Sequence, residues 1–199
     1  MARKAFDQIA SGVGAMLVVV LLVAGGLMLW GSSYADSNVH DQLARQEISF
    51  PPAAGLQGTT VPMSYAGKQV VTGTAARVYA LDFIGSHLKE QPLGGIYSRI
   101  SSALRSPNLS SQRKSDLTAA QQTSFQGTTL QGMLLQAYAF GSIGTVMMWG
   151  AIASFVLAIL MAILVVFGVM HASRTSAEEQ VFSGGSASAS AGSGGAVPA

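Results

Sequence analysis

The sequence predicts a mainly α fold: two transmembrane helices around a small, mostly helical extracytoplasmic domain in which a few short strands are possible. Composition is the first sign, since 49% of the 199 residues are apolar and 10% are charged, against roughly 25% charged in an ordinary soluble domain. The second is a pair of long apolar runs that lack Asp, Glu, Lys, Arg and His, one near each end of the chain. The third is the helical spacing of apolar residues between those runs. Together they divide the chain into a cytoplasmic start (1–9), a first span (10–30), an extracytoplasmic domain (31–144), a second span (145–170) and a disordered cytoplasmic tail (171–199).

The first span is the charge-free run from Ala10 to Trp30, roughly 30 Å long as a helix and so enough to cross the hydrocarbon core. The second charge-free run begins at Leu117, but it is densely apolar only from Thr145 to Met170. Trp30 and Trp149 stand where an indole sits well at the outer membrane interface, its ring in lipid and its N–H wet. Arg3 and Lys4 precede the first span, and His171 and Arg174 follow the second. Positive flanks stay inside, and since the stretch between the spans is too long for its own charges to set topology, the first flank alone predicts a plasma-membrane protein, multi-pass, with both termini cytoplasmic. Ser33-Tyr34-Ala35 has the small-x-small form of a processing site, so a cleaved signal peptide is the rival reading. An apolar core longer than the roughly 7–15 residues of a signal sequence favours a retained anchor.

Between the spans, a polar connector leads to Glu47-Ile48-Ser49-Phe50, a short edge-strand candidate halted by Pro51-Pro52. Leu56 to Met63 and Lys68 to Thr72 are further extended candidates, with Ala66-Gly67 as a turn. The best-formed helix follows Gly73-Thr74, where the Thr74 hydroxyl is the expected cap, and runs from Ala75 to Lys89. Ala76, Tyr79, Ala80, Phe83, Ile84, His87 and Leu88 fall on one face of it. Gln91-Pro92-Leu93-Gly94-Gly95 ends it, and a shorter helix is expected over Tyr97 to Leu104. From Asp116 a helix is predicted to run into the second span, with Gly127 and Gly132 as candidate breaks. Ser183 to Ala199 is almost wholly Ser, Gly and Ala, too poor in bulky residues to order.

The order of pieces, a basic start and span, Ala66-Gly67-Lys68-Gln69-Val70-Val71-Thr72-Gly73, Tyr79-Ala80 with Ile84 and His87-Leu88, Gly94-Gly95-Ile96-Tyr97, then a helix into a last span, resembles an uncharacterised family of small two-span actinobacterial membrane proteins. The resemblance covers Ala10 to Met170 and implies topology and fold. Some members carry the label aromatic ring-opening dioxygenase. That label does not transfer, because such chemistry works through iron held by His and carboxylate ligands, and the sequence offers no such cluster.

The remaining signals bear on function. A net charge of +2 with eleven scattered Lys and Arg forms no basic stripe, so nucleic acid is not an expected partner. The absence of cysteine removes disulfides, thiolate nucleophiles and thiolate metal sites. No nucleophile elbow, phosphate loop or zinc-protease motif is present, so no catalytic, cofactor-binding or metal-ligating residue is assigned. Asn108-Leu109-Ser110 matches a glycosylation sequon too short to weigh. His87 reads either as a pH-sensitive contact or, more simply, as a hydrogen-bonded residue at a helix end. Gly150, Ser154, Ala158 and Ala162 repeat every four residues, a small-residue stripe that lets helices approach, with Gly14 and Gly26 as candidate receivers. Neither span holds an ionisable residue, which argues against transport by this chain alone. The expected function is a non-enzymatic accessory or structural subunit of a plasma-membrane complex, its partners the lipid bilayer and another membrane protein or a second copy. The alternative is a membrane-anchored sensor or a small apolar ligand or lipid-binding module, using a pocket lined by Tyr79, Phe83 and Ile84 beside His87.

Overall fold

The computed structural model describes residues 2–182. Among them the chain is mainly helical, and two helices are long and apolar enough to cross a membrane. Helix α1 spans Ala2–Ala44, α2 Gly73–Val78, α3 Gly85–Glu90, α4 Tyr97–Ala103 and α5 Ser111–Phe182. The chain divides into two compact units, Met1–Leu27 with Gly150–Ala199, and Met28–Trp149, and α1 and α5 contribute to both.

In the first unit α1 and α5 pack antiparallel through small residues. A Cβ added at Gly14 would come within 2.6 Å of a Val165 methyl, and one at Gly25 within 3.1 Å of the Phe155 ring. Gly14 and Gly25 are buried, as are Ala151 and Ala158, with Val18, Leu21, Ser154, Met161 and Val165 half-buried between them. Those positions alternate steps of three and four, the 3.5-residue period of helices that wind around each other. Large side chains point the other way: Val19, Leu27, Leu160, Leu164 and Phe167 are all exposed. Of the expected stripe, Ala158 is buried in the seam, whereas Gly150, Ser154 and Ala162 are half-buried. A step of four drifts off a 3.5-residue seam, so Ala151 and Met161 share it. Gly26 meets nothing within 4 Å, and Gly25 is the glycine that a neighbour covers.

In the second unit α1 does not end at Trp30 in a polar connector but continues to Ala44. The connector is amphipathic: Val39 and Leu43 are buried on one side, and His40, Asp41 and Arg45 are exposed on another. The strand candidates over 47–50, 56–63 and 68–72 form no strand among the described residues. They reduce to one antiparallel bridge, Ser49 to Gln69, flanked by the Phe50 N–H donating to Lys68 O at 2.9 Å and the Val70 N–H to Ile48 O at 2.8 Å. Pro51 and Pro52 have no N–H with which to extend that pairing. The 56–63 segment instead follows a short 3-10 turn over Ala53–Leu56 and leads into a second over Met63–Tyr65.

The helical stretch from Gly73 to Glu90 begins two residues earlier than the expected Ala75. Thr72, not Thr74, is its cap, and its Oγ1 accepts the Ala75 N–H at 3.2 Å. A π turn over Tyr79–Ile84 interrupts the α geometry. At the end of α3, Leu93, Gly94 and Gly95 all have positive φ. A Cβ at Gly95 would overlap the Leu88 carbonyl, so only glycine closes this turn. Helix α5 starts at Ser111, five residues before the expected Asp116, because the Ser110 hydroxyl accepts the Arg113 N–H at 3.2 Å. It passes Gly127 and Gly132 without a break and continues to Phe182. The segment 171–182, expected to belong to a disordered tail, is therefore helical, and 183–199 lie outside the described residues.

The core of this unit gathers Val39 and Leu43 of α1, Phe50, Leu56, Val61 and Val70 of the irregular segment, Ala75, Ala76, Val78 and Ala80, and Leu134 of α5. Where α2 crosses α5 the backbones nearly touch: a Cβ at Gly73 would lie 3.2 Å from both the Ala137 carbonyl oxygen and the Tyr138 Cα. A smaller cluster, Ile100 with Leu117 and Ala120, fastens α4 to α5.

Candidate functional site

The predicted apolar face, Tyr79, Phe83, Ile84 and His87, is brought together, but as a packed row of rings. Phe50 stands 5.1 Å from Tyr79, Tyr79 4.9 Å from Phe83, and Phe83 4.6 Å from His87, centroid to centroid, with Tyr65 5.0 Å from Phe50 on the other side. The π turn sets this spacing. Its Ala80 carbonyl accepts both the Gly85 N–H and, at 2.8 Å, the Gln131 amide of α5, which ties the widened turn to the long helix. Burial raises the Tyr79 phenol above its ordinary pKa. His87 is exposed, and its Nδ1–H donates to the Phe83 carbonyl at 2.8 Å, the local bond of a residue near a helix end. Side chains therefore fill the place where a pocket was expected.

The concave feature lies elsewhere in this unit. A groove of about 700 Å³ runs between α1 and α5. Trp30, Tyr34, Asn38 and Gln42 line it from α1, and Met133, Gln136, Phe140 and Met147 from α5. None of its lining residues carries a charge at neutral pH. The Trp30 and Tyr34 rings stack at 5.7 Å. The Gln42 amide donates to the Asn38 side chain at 3.3 Å, and Asn38 donates to the Tyr34 carbonyl at 3.5 Å. Opposite residues fix the register: a Cβ at Gly31 would meet Met147 at 3.0 Å, and one at Gly144 would meet Ala35 at 3.2 Å. Trp30 and Trp149 consequently stand within about one helical turn of a common level. From that level the groove lining is apolar and aromatic first, through Tyr34, Ile143 and Met147, and then mixed, with Asn38, Gln42 and Gln136 beside Phe140, Leu43 and Leu134.

A second surface is a patch on α4, α5 and the preceding turn. Tyr97 and Phe125 sit 6.1 Å apart and are 46% and 56% exposed, and Leu93 and Ile96, just before Tyr97 in the chain, are exposed too. Leu93 holds φ at 58°, a conformation that a non-glycine residue rarely adopts. Among the described residues no three His, Asp or Glu side chains converge as metal ligands would.

Comparison with protein-family models, with curated proteins and with solved structures returns no match.

The groove was not legible as a site because its two walls are about a hundred residues apart in sequence. One signal was present, however. Asn38, Gln42 and Gln46 recur every four residues beside the line of Gly31, Ala35, Val39 and Leu43, an amide row flanking an apolar one on the same helix.

Proposed function

We propose that this chain is a two-span plasma-membrane protein with both termini cytoplasmic and residues 31–144, within the second unit, as its extracytoplasmic domain. In this reading it serves as a non-enzymatic accessory or structural subunit, on the pattern of the two-span actinobacterial family that its order of segments resembles. The inside-out character of the first unit supports the membrane assignment, since glycine and alanine face inward there while aliphatic side chains face outward. The tryptophans at a common level support placing the outer interface at Trp30 and Trp149.

The observation that carries the subunit role is the patch of Leu93, Ile96, Tyr97 and Phe125. Adjacent large apolar side chains left in water on a small domain are the kind of surface that a partner protein covers. A C-terminally tagged copy, solubilised from its native membrane in mild detergent and analysed by mass spectrometry, should bring down a membrane protein in fixed stoichiometry or run as a defined homo-oligomer. Tyr97→Ser with Phe125→Ser should release it. A wild-type chain that runs as a lone monomer would sink the proposal.

The alternative role, a membrane-anchored sensor or a module for a small apolar ligand or lipid, is favoured by the α1/α5 groove rather than by the Tyr79, Phe83 and Ile84 face.

A further inference from the structure

We infer that the groove between α1 and α5 holds one uncharged amphiphile from the outer leaflet, its chain along Tyr34, Phe140 and Met147 and its polar head among Asn38, Gln42 and Gln136. This rests on the membrane orientation proposed above and gives the ligand-binding reading a site and a ligand class.

The chemistry of the lining selects the ligand. No Asp, Glu, Lys, Arg or His lines the walls, so the groove offers an ionised head no opposite charge to pair with. Amides, in contrast, both donate and accept, which suits hydroxyl, ester or amide groups of a neutral head. The order of the lining also matches one orientation of a lipid. The apolar and aromatic part begins at the tryptophan level, and the amides stand farther out along α1, Asn38 about 12 Å beyond Trp30. From Trp30 to Leu43 the groove follows α1 for about 20 Å, more than the roughly 15 Å that the chains of one leaflet occupy in a hydrocarbon core of about 30 Å. A volume of about 700 Å³ lies within the roughly 300–1,000 Å³ of small-ligand sites. A lipid drawn outward by about a head-group length would thus meet apolar walls along its chain and amides around its head.

The test uses the full-length protein in phosphatidylcholine vesicles containing a monoacylglycerol with a photoactivatable diazirine in its chain. Adducts should map to 34–42 and 133–147, and labelling there should fall several-fold in Phe140→Glu, which puts a charge beside the chain, and in Asn38→Trp, which fills the amide end. Phe140 is 53% exposed and Asn38 is only half-buried, so both variants should keep the wild-type melting curve. A fatty-acid probe with the same chain but an ionised head should label the groove several-fold less. Equal labelling by the two probes, or adducts confined to the spans, would overturn the inference. Because the chain has no cysteine, Ser37→Cys reports orientation separately, through labelling of sealed cells by an impermeant maleimide. Failure of that labelling would count against the topology, whereas labelled Cys with no groove adducts would count against the ligand.

Discussion

Along α1 and α5 large aliphatic side chains are fully buried in the second unit but not in the first. In the first the buried positions are Gly14, Gly25, Ala151 and Ala158, with Leu160, Leu164 and Phe167 turned outward. In the second, Val39, Leu43, Leu117 and Leu134 are buried alongside the small Ser32, Ala120, Ser124 and Gly144, with Phe50 and Leu56 added from the irregular segment. The same helices therefore follow two packing rules. Where water is the solvent, large apolar side chains gain most by leaving it. Where lipid is the solvent, nothing is gained by hiding a leucine, and close backbone approach through small residues supplies the attraction instead. The proposed bilayer around the first unit and water around the second account for the difference.

Truncating a large side chain in each unit gives the widest separation. Phe50 is 2% exposed and touches both Tyr65 and Tyr79, so Phe50→Ala should destabilise the second unit by about 3–5 kcal/mol. Leu164, 65% exposed, should tolerate Leu164→Ala within about 0.5 kcal/mol. Thermal melts in mild detergent, followed by protease sensitivity of the second unit, compare them. Equal losses would break the contrast.

The reverse substitution probes the first unit. Gly14→Leu drives a side chain into Val165, whose branched Cβ leaves it little room to turn away, and overpacking of this kind costs about 1–3 kcal/mol. The readout is the disulfide between Ser11→Cys and Gly168→Cys, positions already in contact. It should form readily in the parent and several-fold less with Gly14→Leu. Gly12→Leu, which meets nothing within 4 Å, should leave it unchanged.

How much of this was legible in advance follows the same division. The two long apolar helices could be read from composition alone, because a run without charge is visible one residue at a time. The seam could not, since steps of three and four separate a 3.5-residue period from a stripe of four only once a partner helix is in place. The end of α1 was misplaced for a related reason: the polar residues after Trp30 suggested a connector, while Val39 and Leu43 become an apolar face only against Leu134, some ninety residues away. The strand candidates failed because β-branched residues mark burial as much as extension. Val61 is buried in irregular backbone and Val70 beside the single Ser49–Gln69 bridge, neither in a strand. Of the sites, the Tyr79 to His87 face was found from its period, but the π turn and the rings of Phe50 and Tyr65 that fill its surroundings leave no signature in helical spacing.

A cap should matter less than a core residue and act locally. Thr72→Ala removes the acceptor of the Ala75 N–H at 3.2 Å, a loss of about 1 kcal/mol. Amide exchange over 73–78 should quicken while exchange in the first unit stays as it was. Thr72→Ser, which keeps the oxygen, should restore the slower rates.

The smallest effect expected is confined to alkaline pH. The Tyr79 phenol has its pKa raised by burial in the folded unit, while in the unfolded chain it titrates near its ordinary value of about 10. Below that value both states hold the proton, and the preference for neutral Tyr79 contributes fully. Above it the unfolded chain loses the proton first, so it binds fewer protons than the native state and stability falls as pH rises. Tyr79→Phe keeps the ring against Phe50 and Phe83 but cannot ionise. Melting temperatures of the wild type should therefore drop faster than those of Tyr79→Phe between about pH 9 and 11, and the two curves should run parallel at lower pH. Curves that stay parallel throughout would mean that the phenol oxygen is as well solvated in the fold as in the open chain, and that the row of rings is looser than the packed core to which it is joined.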